Sequence, residues 1–167
     1  MSATAIRQSS STDNPLDLIE EIVLGNEWVF DRSNNDELVA EIPGRWCEYR
    51  LYFAWSSDMS ALQFSCAFDL KVPRTKRDAV AGLLVLANEK LWLGHFDLSS
   101  EHQVPMFRHA VLLRGARGAS VEQLEDLVDI ALNECERFYP AFQHVIWGGK
   151  SSSDALLAAC VEPVGEA

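Results

Sequence analysis

The run Cys47-Glu48-Tyr49-Arg50-Leu51-Tyr52-Phe53-Ala54-Trp55, followed after Ser56 to Ser60 by Leu62-Gln63-Phe64-Ser65-Cys66-Ala67-Phe68-Asp69, decides the fold. In both segments large apolar residues recur at every second position, the period of a strand whose successive side chains point to opposite faces. Cys47, Tyr49, Leu51, Phe53 and Trp55 share one face of the first strand, and Leu62, Phe64, Cys66 and Phe68 one face of the second. The turn at Ser56 to Ser60 makes the two antiparallel neighbours. A sheet with one face this apolar must bury it under another layer, and helices are expected to supply that layer.

Upstream, Asn14 reads as a cap with Pro15 at the first helical position. Leu16, Ile19 and Val23, with Leu18 and Ile22, then form an apolar stripe that ends at Gly25. Trp28 to Asp31 and Leu38 to Ile42, joined through Ser33, Asn34 and Asn35 and stopped by Pro43 and Gly44, read as a hairpin. Downstream of Pro73 the period returns to helical from about Thr75 to Leu91, with Val80, Leu83, Leu84, Leu86 and Ala87 as the stripe and Gly82 weakening it. Gly94 to Leu98 and Val104 to Arg114 predict a second hairpin around Ser99 and Ser100.

Ser120, with Gln123 three residues on, predicts a capping box at the start of a long helix. Its seam is Val121, Leu124, Val128, Ala131, Cys135, Phe138, Phe142 and Val145. Glu122, Glu125, Asp126, Asp129, Glu134 and Glu136 are placed on a solvated face. Pro140 lies inside this pattern and predicts a kink or a break, because proline removes a donor and crowds the preceding turn. Gly148 and Gly149 end the helix, and a short one follows from Asp154 to about Cys160. The expected architecture is a single α+β domain over 14–160, with helices packed on a mostly antiparallel sheet of about six strands, in the order α-β-β-β-β-α-β-β-α-α. Residues 1–13, rich in Ser and Thr, are expected to be a disordered tail, and 161–167 a second tail.

Composition narrows the partners. Fourteen Lys+Arg against 25 Asp+Glu give a formal charge of -11, a field that repels nucleic acid and anionic membranes. The basic group Lys71, Arg74, Lys76 and Arg77 is a local exception, read as a solvated loop. No apolar run reaches the length of a membrane helix, and 1–14 lack an apolar signal core, so a cytoplasmic location is expected. Cys47, Cys66, Cys135 and Cys160 show neither CxxC nor zinc-type spacing and are expected to be reduced, mostly buried thiols.

Several stretches of this layout resemble the YbjN-domain family of bacteria. They are Asn88-Glu89-Lys90-Leu91-Trp92-Leu93-Gly94-His95-Phe96, the segment from Phe107 to Gly115, and the run from Glu122 through Glu136-Arg137-Phe138-Tyr139-Pro140 to Trp147-Gly148-Gly149-Lys150. The Glu-Arg-Phe-Tyr-Pro run is the most specific, and the similarity covers roughly 14–160. It implies a fold like that of the type III secretion chaperones and a role as a sensory transduction or stress regulator without enzymatic activity. It implies no functional residues.

The residues themselves offer little chemistry. Gly148-Gly149-Lys150-Ser151 ends like a phosphate-binding loop, but His144 stands where the motif needs its first glycine, and the segment follows a helix where the motif requires a strand. It reads as a helix stop. His95, His102 and His109 could be gathered by a hairpin, yet no carboxylate or thiol is spaced to complete a metal site, and surface histidines are the better reading. No Ser or Cys sits on a tight glycine-flanked turn as a nucleophile would. No catalytic residue, metal or cofactor is therefore expected.

The second sheet face is the remaining candidate. Tyr52, Ala54 and Ala67, joined by Met106 and Ala110, make it too apolar to be purely solvated, so it is either a partner or dimer surface or is covered by a further helix. The functional expectation is a non-enzymatic interaction module, chaperone-like or an adaptor in signalling or stress response, binding another protein and self-associating as a homodimer. The alternative is a regulator sensing a small ligand in a pocket beneath the long helix.

Overall fold

The computed structural model describes residues 11–161. Helix α1 (Leu16–Gly25) leads into strands β1 (Val29–Asn34), β2 (Glu37–Pro43), β3 (Glu48–Ser56) and β4 (Ala61–Phe68). A 3₁₀ turn, Arg74–Lys76, opens α2 (Arg77–Asn88). Strands β5 (His95–Leu98) and β6 (Pro105–Leu112) come next, then α3 (Val121–Ile146) and α4 (Ser152–Val161). The six strands form one antiparallel sheet in the order β1-β2-β3-β4-β6-β5. The α+β architecture and its element order are those the sequence predicts.

Register turns the sequence alternation into two faces. Tyr49 pairs with Phe68, Leu51 with Cys66, Phe53 with Phe64 and Trp55 with Leu62, so the large apolar sets of β3 and β4 lie side by side. Phe107 extends the row by pairing with Cys66 and Phe96. Helices α1, α2 and α3 contact β2, β4, β5 and β6, and the alternation of burial puts them over this face. At its centre Phe68 meets Tyr49, Phe96, Tyr139 and Phe142, and Phe96 meets Phe107, Phe138 and Phe142, mostly edge to face. That is the arrangement aromatic quadrupoles favour.

Local signals explain the helix ends. The Asn14 side chain accepts from the Leu16 N–H and so caps α1. At α3 the capping box is complete: Ser120 Oγ accepts from the Gln123 N–H, and Gln123 Oε1 accepts from the Ser120 N–H. Gly82 in α2 has a purpose that helix propensity does not reveal. A Cβ there would lie 2.9 Å from Ser152 Oγ, which donates to the Ala79 carbonyl, so the missing side chain lets α4 approach α2.

Four sequence expectations are corrected. Of the kink or break expected at Pro140, the break does not occur: α3 runs unbroken over Val121–Ile146 with the proline buried. Tertiary burial of the surrounding turn, Phe138 to Phe142, outweighs one lost hydrogen bond. Val121 is not part of the buried seam, being 40% exposed. Glu136 is not on the solvated face, as described below. The chain is also anchored before residue 14: Thr12 Oγ1 donates to the Ala116 carbonyl and the Asp13 N–H to that of Arg117.

Cys47, Cys66 and Cys135 are free thiols. Cys66 and Cys135 are buried with their sulfurs 3.6 Å apart. Burial pushes the Cys135 thiol well up and that of Cys47 to about 11, which leaves both poor nucleophiles. The side chain of Cys160 and residues 1–10 and 162–167 lie outside what is described. Among the described residues no helix is long and apolar enough to cross a membrane.

Candidate functional site

The face of the sheet turned away from the helices carries every second residue of each strand. Because Arg50 pairs with Ala67 and Ala67 with Met106, these three form a row across β3, β4 and β6. Tyr52, Ser65 and Arg108 form the next row, and Ala54, Gln63 and Ala110 the one after. Tyr52, Ala54, Ala67, Met106 and Ala110 thus share one face, and no described helix packs over it. Ala110 is exposed, Tyr52, Ala54 and Met106 are half-buried, and Ala67 is 6% exposed. Val29 and Leu112, at 71% and 78% exposure, extend the apolar surface towards two of its borders.

Between the rows lies a concavity of about 260 Å³ lined by Tyr52, Ala67 and Met106 together with Glu41, Glu48, Arg50 and Asp69. Arg50 Nη2 lies 2.9 Å from Glu41 Oε1, and Arg108 Nη1 lies 3.1 Å from Asp97 Oδ2. Hydrogen bonds that Arg50 donates to Tyr52 and Glu41 raise its guanidinium further above its usual range, so it remains cationic.

At one end of the sheet the β2–β3 loop is fastened to α3. Glu136 accepts from the Arg45 N–H through one carboxylate oxygen and from the Tyr49 hydroxyl, at 3.0 Å, through the other. Trp46 stacks on Tyr139 with centroids 6.2 Å apart. A Cβ on Gly44 would run into the Tyr49 ring and the Cys47 carbonyl, so only glycine fits there. Burial, then Cys47 and Glu136, push the Tyr49 hydroxyl far above the usual phenol range, so it stays a donor. The Glu136 to Pro140 run therefore builds the core and its loop anchor. Sequence reasoning missed Glu136 because its spacing along α3 matches the acidic face; only Glu-Tyr pairing across 87 residues distinguishes it.

The remaining candidates are occupied elsewhere. The Gly148 and Lys150 N–H groups donate to the carbonyls of Gln143 and His144 at the end of α3, so they are spent on the helix terminus. Gly149 has φ 64, the left-handed geometry of a helix stop. His102 lies in the β5–β6 turn, and among the described residues no three His, Cys, Asp or Glu are placed to hold a metal. Asn88 grips β5 by donating to the Phe96 carbonyl and accepting from its N–H.

His109 points to the helix side, where burial and, secondarily, His95 push its imidazole below the usual value of 6.5. The unfolded chain takes up this proton more readily than the folded one. This group therefore costs nothing above about pH 6.5 and destabilises progressively as pH falls from there to its depressed native value. His109→Gln is expected to reduce the loss of melting temperature between about pH 7.5 and about pH 5, measured by thermal denaturation. An unchanged loss would remove His109 as a cause.

Compared with known proteins, residues 15–144 match the model of the YbjN family, described as "Putative bacterial sensory transduction regulator". Among solved structures, that of YbjN from E. coli aligns with a TM-score of 0.52 at 12% identity, covering 87% of this chain and 91% of that one. The ExsC-ExsE complex aligns with a TM-score of 0.47 at 12% identity, covering 73% and 88%. No curated protein matches the sequence. At such identity the likeness to the E. coli structure is one of fold.

Proposed function

The chain belongs to the YbjN family, and on that premise we propose that it is a non-enzymatic interaction module in bacterial regulation, which binds another protein on the uncovered face of its sheet. The observation that carries this reading is the apolar content of that face. Tyr52, Ala54, Met106 and Ala110 stand together with no helix over them, whereas the other face is sealed by helices. Apolar side chains left uncovered on a sheet face and rimmed by polar ones mark interaction sites. The family description names a regulator and no reaction.

Wall chemistry favours a protein over a small molecule. Pockets that enclose a metabolite are lined mainly by apolar side chains, whereas the concavity of about 260 Å³ and the adjoining one of about 370 Å³, which shares Tyr52, His102 and Met106, both have charged walls. The smaller suits one side chain of a larger partner. The sheet edges are less suited to strand addition: β5 has four residues gripped by Asn88, and the β1–β2 register shifts between Asp31 and Asn34.

The test is partner capture by the tagged full chain against face variants. Ala110→Arg and Tyr52→Ala are expected to cut the captured partner about tenfold, while melting temperature stays within the ~0.5 kcal/mol range of surface changes. Capture unaffected by both variants would overturn the use of this face.

A further inference from the structure

Resting on that reading, we infer that the segment received by this face is cationic and amphipathic, with a lysine or arginine of the partner lying along the concavity and its charge between Glu48 and Asp69. Continuing the register one step beyond Tyr49 and Phe68 sets Glu48 opposite Asp69, and both side chains line the concavity. Like charges placed opposite each other across two strands destabilise a sheet. Neither carboxylate has an ion-pair partner among the described residues.

The charge count of the walls follows. Glu41 and Arg50 cancel, and His102, which also lines the concavity, stands 3.9 Å from Glu101, leaving Glu48 and Asp69 as the carboxylates without a paired cation. Arg108, also on this face, is neutralised by Asp97. Lys71 and Arg74 line a different hollow, with Pro73 and Gln103. The floor of Tyr52, Ala67 and Met106 complements the methylene stem of a long basic side chain, which buries its carbons while its charge reaches the rim. A second copy of this chain would bring the same excess of carboxylates and a net charge of -11 against this face, so the complementary occupant is a basic segment of another protein.

The test uses the full chain and a fluorescein-labelled peptide alternating leucine and lysine, followed by anisotropy at physiological salt. One analogue replaces lysine by glutamate and another replaces leucine by serine. The leucine-lysine peptide is expected to bind best, and the double variant Glu48→Gln/Asp69→Asn to weaken it about tenfold, ~1.4 kcal/mol. Glu125→Gln/Asp129→Asn, which removes the same charge from exposed positions on α3, is expected to weaken it less than about twofold by screening. Equal losses in the two double variants would mean diffuse attraction and overturn the inference. So would equal binding of the leucine-glutamate peptide, or no binding at all. If Ala110→Arg still abolished partner capture in those cases, the interaction face would stand and only its cationic occupant would fall. Light scattering that shows a dimer dissociated by Ala110→Arg would place a second copy on the face and equally overturn the inference.

Discussion

Phe96→Ala is expected to destabilise the protein by about 3–5 kcal/mol, the cost of deleting a buried aromatic and leaving part of its cavity. Phe96 is 2% exposed and packs edge to face with Phe68, Phe107, Phe138 and Phe142. It is also the only fully buried residue of β5, a four-residue edge strand. A domain of this size is stable by ~5–15 kcal/mol in total, so this one change removes a large fraction. Urea unfolding followed by tryptophan fluorescence should show a lower midpoint with an unchanged slope. Phe96→Leu, which refills most of the volume, is expected to cost less than half as much. Equal midpoints for the alanine variant and the native chain would mean that the aromatic cluster closes without Phe96. β5 borders the uncovered face and supplies Asp97 to Arg108, so its loosening would also expose a cation there.

Glu136→Ala is expected to cost about 3 kcal/mol and to lower the melting temperature by roughly 6–12 °C. The carboxylate accepts from Tyr49, which is fully buried, and from the exposed Arg45 N–H, so truncation orphans the Tyr49 hydroxyl and releases the β2–β3 loop, whose N–H turns to water. An unpaired buried donor costs more than the bond itself contributed. Tyr49→Phe removes one donor with the acceptor intact and is expected to cost about 1 kcal/mol. The two changes combined should be less than additive, since the second removes a group the first had orphaned. Additivity in calorimetry would show that the Tyr49 and Glu136 groups do not interact in solution.

The strand alternation from Cys47 to Phe68 was readable because each residue's face in a sheet depends only on its parity, a strictly local property. The Ser120 capping box was readable for the same reason, since its partners are three residues apart. The five candidate residues were read as one face from alternation alone, and register places them together. Glu136 was not legible: its acidic neighbours along α3 suggest solvent, and its partners Arg45 and Tyr49 come from another part of the chain. Glu48 and Asp69 were missed because only the register of β3 and β4, continued one step past Tyr49 and Phe68, sets them opposite each other. Gly82 looked like a defect in α2 until α4 was placed beside it.

By itself, then, the sequence determined the elements, their order and the sharing of faces, because periodicity, caps and turns act within a few residues. The tertiary structure decided which face the helices leave open, where α3 tolerates Pro140, and which carboxylates are spent on the fold. Those depend on contacts between segments far apart in sequence, whose burial energies exceed local propensities of under about 1 kcal/mol per residue for all but proline, and even proline's cost is absorbed when the surrounding turn is fully packed.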